Sequence, residues 1–144
     1  MKDTFPQRVV DIEHHLRRIS ATVRRKGRML LEQYSITPPQ FDALVILDRD
    51  GVLTIGDLSN RLFLAYSTTT DLVDRLERAC FVVRERDVQD RRVVRVRLLD
   101  KGRDLIEKVL DARRAYLAGV LSSVSPEEQD VILRILELLN EKMD

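Results

Sequence analysis

The stretch VVRERDVQDRRVVRVRLLDKG, residues 82–102, decides the fold. Valine and arginine alternate along it, the alternation breaks at DVQDR, and it then resumes. Alternation with a period of two is typical of a β-strand with one face on a core and the other in solvent. The stretch therefore predicts a two-stranded β-ribbon, and because two strands alone are marginally stable, the ribbon must pack on other elements.

The second half of the ribbon divides its residues cleanly between two faces. In RRVVRVRLL, Val94, Val96 and Leu98 share one face, which can pack on helices, while Arg95 and Arg97 share the other. Arginines concentrated on one face and at the turn of a ribbon favour an arm that reaches phosphates or the minor groove of a nucleic acid.

The sequence around the ribbon predicts helices. Before it, apolar residues recur at threes and fours over 5–33, and after it helices are predicted over 100–121 and 126–143. Three of the predicted helices after the first begin at capping residues. The predicted N-caps, with the residue three positions on, are Thr37 with Gln40, Thr54 with Asp57, and Ser125 with Glu128; Gly51 is predicted to end the helix that Thr37 begins.

Two short predicted helices flank the break FLA at 63–65, and the second begins with small polar side chains. This arrangement is typical of a helix-turn-helix, with the ribbon as a wing directly after it. The predicted fold is mainly α (α+β), one domain over 1–144. A winged helix-turn-helix region covers 37–99, and helical dimerisation regions cover 5–33 and 100–144. Phe63, in the break, is interpreted as a core plug.

Composition narrows the class of protein. The chain has 144 residues, of which 44% are hydrophobic and 34% charged, and a single cysteine, Cys80, so it has no internal disulfide and fits a reducing cytosol. We expect no secretory signal peptide, no membrane span and a cytoplasmic location. His14 and His15 are adjacent on a helix and cannot face one metal together, so neither a metal site nor a cofactor is predicted.

The net charge of +1 conceals an uneven distribution. Residues 1–33 and 82–103 each hold eight Lys/Arg against four Asp/Glu, whereas 34–81 hold four against seven and 104–144 five against nine. Local basic charge indicates electrostatic partners, although a solvated face is the simpler interpretation of any charge run.

The candidate DNA-binding residues lie on the second helix of the motif and on the wing. For the helix they are Tyr66, Ser67, Thr68, Thr70, Asp71 and Arg75; for the wing they are Arg84, Arg86, Asp90, Arg91 and Arg92. Serine and threonine also favour helix starts for local reasons, and Arg75 equally suits a solvated face. Asp90 is predicted to pair with Arg92, to shape the turn, or to do both.

LERACFVVRERDVQDRRVVRVRLLDKG resembles the wing of the multiple-antibiotic-resistance regulator (MarR) family, with Asp90 and Arg92 matching its Asp-x-Arg tip. TPPQFDALVIL, LTIGDLSNRL and STTTDLVDRLE fit the preceding helices in the same order. The resemblance implies a homodimeric transcriptional regulator, typically a repressor, that binds a pseudo-palindromic double-stranded DNA operator. It also implies dimerisation through the first and last helices.

The sequence departs from that family at several positions. Cys80 stands where glycine usually follows the recognition helix, so that either Cys80 is strained or the helix ends differently. Leu99 stands where the family tends to threonine, and Asp71 lies where basic or polar residues are common. Members that sense peroxide resemble each other in a cysteine on the first helix, which is absent here, so Cys80 is interpreted as structural.

The resemblance further implies a small aromatic or anionic effector bound between the dimer helices and the winged module. His15, Arg18, Tyr34 and Tyr116 are the candidate ligand-binding residues; a solvated face with interface salt bridges is the competing interpretation. The alternative functions are a protein-binding module and an enzyme. A protein-binding winged helix without DNA would be expected to have an uncharged wing. An enzyme is disfavoured, since no glycine-rich phosphate loop, nucleophile with a base, or carboxylate pair can be identified.

Overall fold

The computed structural model describes residues 4–144. Its elements, in chain order, are α1 (Gln7–Gln33), α2 (Pro38–Asp50), β1 (Leu53–Thr54), α3 (Ile55–Leu62), α4 (Tyr66–Arg78), β2 (Val82–Arg86), β3 (Val94–Leu98), α5 (Asp100–Leu121) and α6 (Pro126–Met143). The predicted order of helices and ribbon strands is confirmed, and β1 is an addition to it. None of the described helices is long and apolar enough to cross a membrane.

Helix α2 begins and ends where its sequence indicates. The Thr37 hydroxyl accepts from the N–H of Gln40, and the Gln40 side chain accepts from the N–H of Thr37, which completes a capping box. At the other end Gly51 has φ +80° and its N–H donates to the Leu47 carbonyl. A positive φ favours glycine, so Gly51 ends the helix with little strain.

The two other predicted N-caps are also confirmed. Thr54 accepts from the N–H of Asp57 at the start of α3, and Ser125 accepts from the N–H of Glu128 at the start of α6. Each cap satisfies one of the backbone donors that a helix start leaves without a partner. The donor and the acceptor lie three positions apart along the chain in each case, which is why the sequence alone could predict these caps.

Phe63 is not a core plug: its side chain is 94% exposed, and this prediction was wrong. The reason lies in the turn that ends α3. The N–H of Phe63 donates to the Asn60 and Ser59 carbonyls, and the N–H of Leu64 reaches back to Ser59, which is a Schellman-type ending. The turn holds Phe63 in the left-handed region, at φ +56°, and the half-buried residue is Leu64 instead.

Helix α4 ends in the same way, which resolves the question about Cys80. The N–H of Phe81 donates to the Leu76 carbonyl, the N–H of Cys80 donates to Glu77, and Cys80 has φ +65°. Cys80 is therefore strained, since only glycine adopts this region without cost. Its side chain is exposed, so Cys80 does not pack in the core, and a structural role for it stays a prediction.

The ribbon belongs to a three-stranded antiparallel sheet with the order β1-β3-β2. In it, β2 pairs with β3 from Val82↔Leu98 to Arg86↔Val94, and β1 adds the pairs Leu53↔Val96 and Thr54↔Arg95. The two-stranded wing was predicted, but the third strand was not. Two residues are too few to show a period of two, so β1 is defined only by its partner strand.

Residues 27–111 form one compact unit, which contains the winged helix-turn-helix and its core. Val96 is fully buried and Leu98 nearly so, which confirms the predicted inner face of β3; Val94 is half-buried and Arg97 is exposed. The largest fully buried side chains of this unit come from α2 to α5 and from the turn before β2: Leu44, Leu58, Leu76, Phe81, Leu105 and Ile106.

Residues 4–26 and 112–144 form the second compact unit. Helix α6, which is described throughout, has no buried residue, although it carries large apolar side chains along its length. Gln129 ties its start to the preceding turn, since its Nε2 donates to the carbonyls of Leu121 and Val124 at 2.9 and 3.0 Å. The predicted division of the chain into a DNA-binding region over 37–99 and dimerisation regions over 5–33 and 100–144 stays a prediction.

Candidate nucleic-acid interface

The first turn of α4 presents polar side chains and open backbone donors. Tyr66, Ser67 and Thr68 are exposed. The N-cap is Ala65, and no side chain accepts a hydrogen bond at this start, in contrast to α2, α3 and α6. A helix start without a capping side chain leaves backbone N–H groups that can bind an anion such as a phosphate.

The body of α4 separates an inner face from an outer one. Leu72, Val73 and Leu76 are buried, and Asp71 and Arg75 are exposed on the outer side. Beyond its polar first turn, the exposed charged groups of α4 are the Asp71 carboxylate and the guanidinium groups of Arg75 and Arg78.

Two threonines of α4 use their hydroxyl protons within the helix. Thr69 is fully buried and donates to the Ala65 carbonyl, and the half-buried Thr70 donates to the Tyr66 carbonyl at 3.0 Å. A hydroxyl retains acceptor lone pairs when it donates, so Thr70 can still accept from a base amino group. Ser67 and Thr68 are exposed, whereas Thr70 is half-buried, so their hydroxyl groups are more accessible than that of Thr70.

Asp87, which was not among the predicted site residues, organises the wing tip. Its carboxylate accepts from the N–H groups of Gln89 and Asp90 at 2.8 and 3.0 Å and from the Arg95 guanidinium. These bonds, first of all that from Asp90, lower the pKa of Asp87 to about 2. The bond to the N–H two residues on is an Asx turn, a signal that DVQ offered in the sequence.

Asp90 both shapes the turn and holds Arg92. Its Oδ1 accepts from the backbone N–H and the Nε of Arg92 at 3.1 and 3.0 Å, and its Oδ2 accepts from Nη2 at 3.2 Å. The Arg92 side chain lowers the pKa of Asp90. The predicted pair is confirmed as a contact, and the Arg92 side chain remains 91% exposed.

The side chain of Arg84, which was predicted among the wing contacts to DNA, points toward α4. Its guanidinium pairs with Asp74 and Glu77 and donates to the Thr70 carbonyl, and its backbone N–H donates to Glu77 at 2.7 Å. The side chain is only 23% exposed. These contacts join β2 to α4, so Arg84 fixes the wing against the helix. The acidic partners, at spacings of seven and ten residues from it, were not recognisable from the sequence.

The remaining wing arginines differ in how far their charge is neutralised. Arg95 pairs with Asp87 and Arg97 with Glu85. Among the residues that the structure describes, Arg86 and Arg91 have no carboxylate within ion-pair distance, and Arg86 donates to the Arg91 carbonyl at 3.1 Å. Positive charge at the tip is thus supplied chiefly by Arg86 and Arg91, with the exposed Arg92 beside them.

Three of the four predicted ligand-binding residues come together in the second unit. His15, Arg18 and Tyr116 line a cavity of about 420 Å³ with an apolar wall that includes Ile19 and Leu117. The ammonium of Lys26 lies 4.4 Å from the centre of the Tyr116 ring. Aromatic and cationic groups around an apolar wall suit an aromatic anion.

Tyr34, the fourth predicted ligand-binding residue, belongs to the winged unit. Its hydroxyl is 3.2 Å from the Lys108 ammonium, and its ring meets Phe81 edge to face. His14 and His15 also meet edge to face, with centroids 5.4 Å apart. Within residues 4–144 no group of three metal-ligating side chains is present.

Comparison with known proteins gives a consistent result. The model of the MarR family matches residues 36–94. The chain is 44% identical to the uncharacterized HTH-type transcriptional regulator YsmB of Bacillus subtilis strain 168, across 95% of this chain and 94% of YsmB. Its fold matches that of a MarR family protein from Bacillus stearothermophilus with a TM-score of 0.84 and 49% identity, covering 97% of this chain and 99% of the other.

Two further relatives carry more specific descriptions. The HTH-type transcriptional repressor MdtR of B. subtilis strain 168 is 30% identical over 85% of this chain and 79% of MdtR. MepR of S. aureus, solved as a DNA complex, is similar in fold with a TM-score of 0.68 and 26% identity, covering 92% of this chain and 99% of MepR.

Proposed function

Since the chain belongs to the MarR family of transcriptional regulators, we propose that it binds double-stranded DNA sequence-specifically through α4 and the wing. One observation carries the proposal. The uncapped, polar first turn of α4 and a wing tip with three exposed arginines lie in one unit, and Arg84 joins them. The DNA complex of the similar protein MepR supports the same assignment.

The side chains divide between base contacts and backbone contacts. Ser67, Thr68 and the acceptor side of Thr70 can bond base edges, and Asp71 can accept from a cytosine amino group in the major groove. Tyr66 and Arg75 border this set.

On the wing, Arg86, Arg91 and Arg92 would neutralise phosphates or enter a narrow minor groove. Asp90 orients Arg92, and Arg84 is assigned to positioning rather than to DNA contact.

Genomic footprinting of the purified protein would supply the operator, and binding titrations over a range of salt concentrations would then test the assignment. Arg91→Ala should weaken binding to operator and random duplexes alike and reduce the salt slope by about 1, since it removes one phosphate contact. Thr68→Ala should lose discrimination between the two duplexes with the slope nearly intact.

Arg49→Ala is the matched control, because Arg49 is exposed but pairs with Asp50 outside the proposed interface. If Arg91→Ala and Arg92→Ala both bind operator with full affinity and unchanged slope, the ribbon is not a DNA-binding wing. A winged-helix module that binds protein would then be the better assignment.

We further propose a homodimer formed through the ends of the chain, acting on a pseudo-palindromic operator. The exposed apolar residues of α1 and α6 support it, because contiguous apolar surface of this kind marks an interface. A two-fold dimer places its half-sites about one helical turn apart. Inserting ~5 bp between them should abolish tight binding, since it rotates one half-site to the opposite face of the DNA; unchanged affinity would show that the two modules do not bind together.

We propose repression as the direction of regulation, supported by the 30% identity to the repressor MdtR. Transcription in vitro from a promoter that contains the operator should fall as protein is added. Increased transcription would reverse the assignment.

The cavity of about 420 Å³ supports release by a small aromatic or anionic effector. Benzoate serves as the probe, since its carboxylate could pair with Arg18 and its ring could pack near Tyr116. Binding measured by calorimetry should be lost in Arg18→Ala and kept in Arg49→Ala. If benzoate and related aromatic acids bind neither the wild type nor Arg49→Ala, the charged face is a solvated one.

A further inference from the structure

Phe63 combines two features that are unfavourable for a large apolar side chain. Its ring is 94% exposed, and its backbone has φ +56°, a region that bulky side chains rarely adopt. Glycine at this turn would remove both the strain and the exposed apolar surface.

The ring is not needed to hold the turn together. The hydrogen bonds of the turn use the backbone of Phe63 and Leu64, and Leu64 packs against the core as the apolar residue that follows such an ending. A substitution at Phe63 therefore changes the surface without removing a packed side chain.

A second exposed aromatic residue lies close by. Tyr66 is 59% exposed, and it is the first residue of α4, three positions after Phe63 and so within about 10 Å along the chain. Both residues therefore lie at the uncapped start of α4, next in the sequence to Ser67 and Thr68, the proposed base contacts.

We propose that Phe63, with Tyr66, reads thymine in the operator by packing its ring against a thymine methyl group in the major groove. The proposal rests on the DNA-binding function proposed above. Phe63 has no donor or acceptor, and the thymine methyl is the apolar feature of the major-groove base edges, so apolar contact is the readout open to this ring. A DNA contact also gives the exposed ring a surface to bury.

The test separates the conformational cost of Phe63 from its contact. Phe63→Gly should raise the melting temperature by a few degrees, since it relieves the left-handed strain, yet weaken operator binding roughly tenfold through lost apolar burial. Ser35→Gly is the matched control, because Ser35 ends α1 with φ +54° and carries no ring. It should raise the melting temperature and leave operator affinity unchanged. Phe63→Asn, which tolerates the same backbone, should weaken binding as Phe63→Gly does.

Operator duplexes with deoxyuridine in place of each thymine identify the methyl group. At one position in each half-site, the substitution should weaken wild-type binding about fourfold, the value of one buried methyl, and have no effect on Phe63→Gly. Equal losses in both proteins at every position would overturn the thymine contact. Equal operator affinity of Phe63→Gly and wild type would overturn any DNA role of the ring. If footprinting identifies no DNA site that the wild type binds, the proposed DNA-binding function fails, and this inference fails with it.

Discussion

The winged unit and the helical unit treat their apolar side chains in opposite ways. In residues 27–111, large apolar residues from α2, α3, α4, the sheet and α5 converge on one core, in which Leu44, Leu58 and Val96 have no exposed surface. In α6, apolar residues such as Leu133 and Leu136 stay about half exposed. The first unit thus buries its apolar surface within one chain, and α6 of the second leaves its apolar residues exposed.

The difference predicts separate contributions of the two units to stability and to the proposed assembly. A packed core stabilises a single chain at any concentration, whereas an uncovered apolar face contributes only when another molecule covers it, so its effect depends on concentration.

The largest effect is expected from the core of the winged unit. Phe81→Ala should lower the free energy of unfolding by about 3–5 kcal/mol, because it leaves a cavity where a side chain 1% exposed had packed. Denaturant titration at two protein concentrations should give the same loss. Phe5→Ala, the same change at a residue 67% exposed near α1, should stay within about 0.5 kcal/mol. Equal losses would remove the contrast between the units.

The second effect concerns assembly. Leu133→Lys combined with Leu136→Lys should convert a dimer of twice 16.7 kDa into a monomer at micromolar concentration, since two buried charges oppose the interface. Analytical ultracentrifugation measures the change.

Val88→Lys places a charge at an apolar residue of the wing that is 96% exposed, and it should leave the dimer intact. A wild-type protein that is monomeric, folded and soluble at that concentration would contradict the interface.

The third effect, of intermediate size, lies within the winged unit. Arg84→Ala should cost about 1–2 kcal/mol, because Asp74, Glu77 and the Thr70 carbonyl lose a shared cation. Operator affinity should fall as the wing loosens from α4, with the salt slope unchanged, since the charge of Arg84 is already neutralised. Arg97→Ala breaks an exposed pair and should cost less than about 1 kcal/mol. If the two variants are indistinguishable, Arg84 does not fix the wing.

The smallest effect is pH-dependent. Asp87 has its pKa lowered from 3.8 to about 2 in the folded protein, so its contribution to stability is complete above about pH 4 and is lost as pH falls through 2. The difference in urea midpoint between wild type and Asp87→Asn should therefore be constant at neutral pH and shrink over that acidic window. Glu141→Gln in α6 is the control on the other unit. A difference that grows on acidification would contradict the assigned hydrogen bonds.

The sequence predicted well the features whose partners lie close along the chain. The caps at Thr37, Thr54 and Ser125 join residues three positions apart, and the two faces of β3 follow from strict alternation. The Asp90–Arg92 contact spans two residues and was predicted for the same reason. The Asx turn of Asp87 was equally local and could have been recognised.

What the sequence could not supply depends on partners that are distant or on the direction of a side chain. Strand β1 exists because Leu53 meets Val96, more than forty residues later. Hydrophobicity predicts burial for Phe63, but the backbone bonds of the turn point its ring outward.

By itself, then, the sequence determined the helices, their capped ends, the amphipathic ribbon and the resemblance to one family. All of these follow from preferences and patterns that act within a few residues. Only the tertiary structure decided which arginines keep their charge for a partner. Arg84 and Arg86 are both arginines of β2, yet one is enclosed by Asp74 and Glu77 while the other faces solvent. The reason is physical: an arginine's available charge depends on the carboxylates that the fold brings within ion-pair distance, and these lie on another element of the chain.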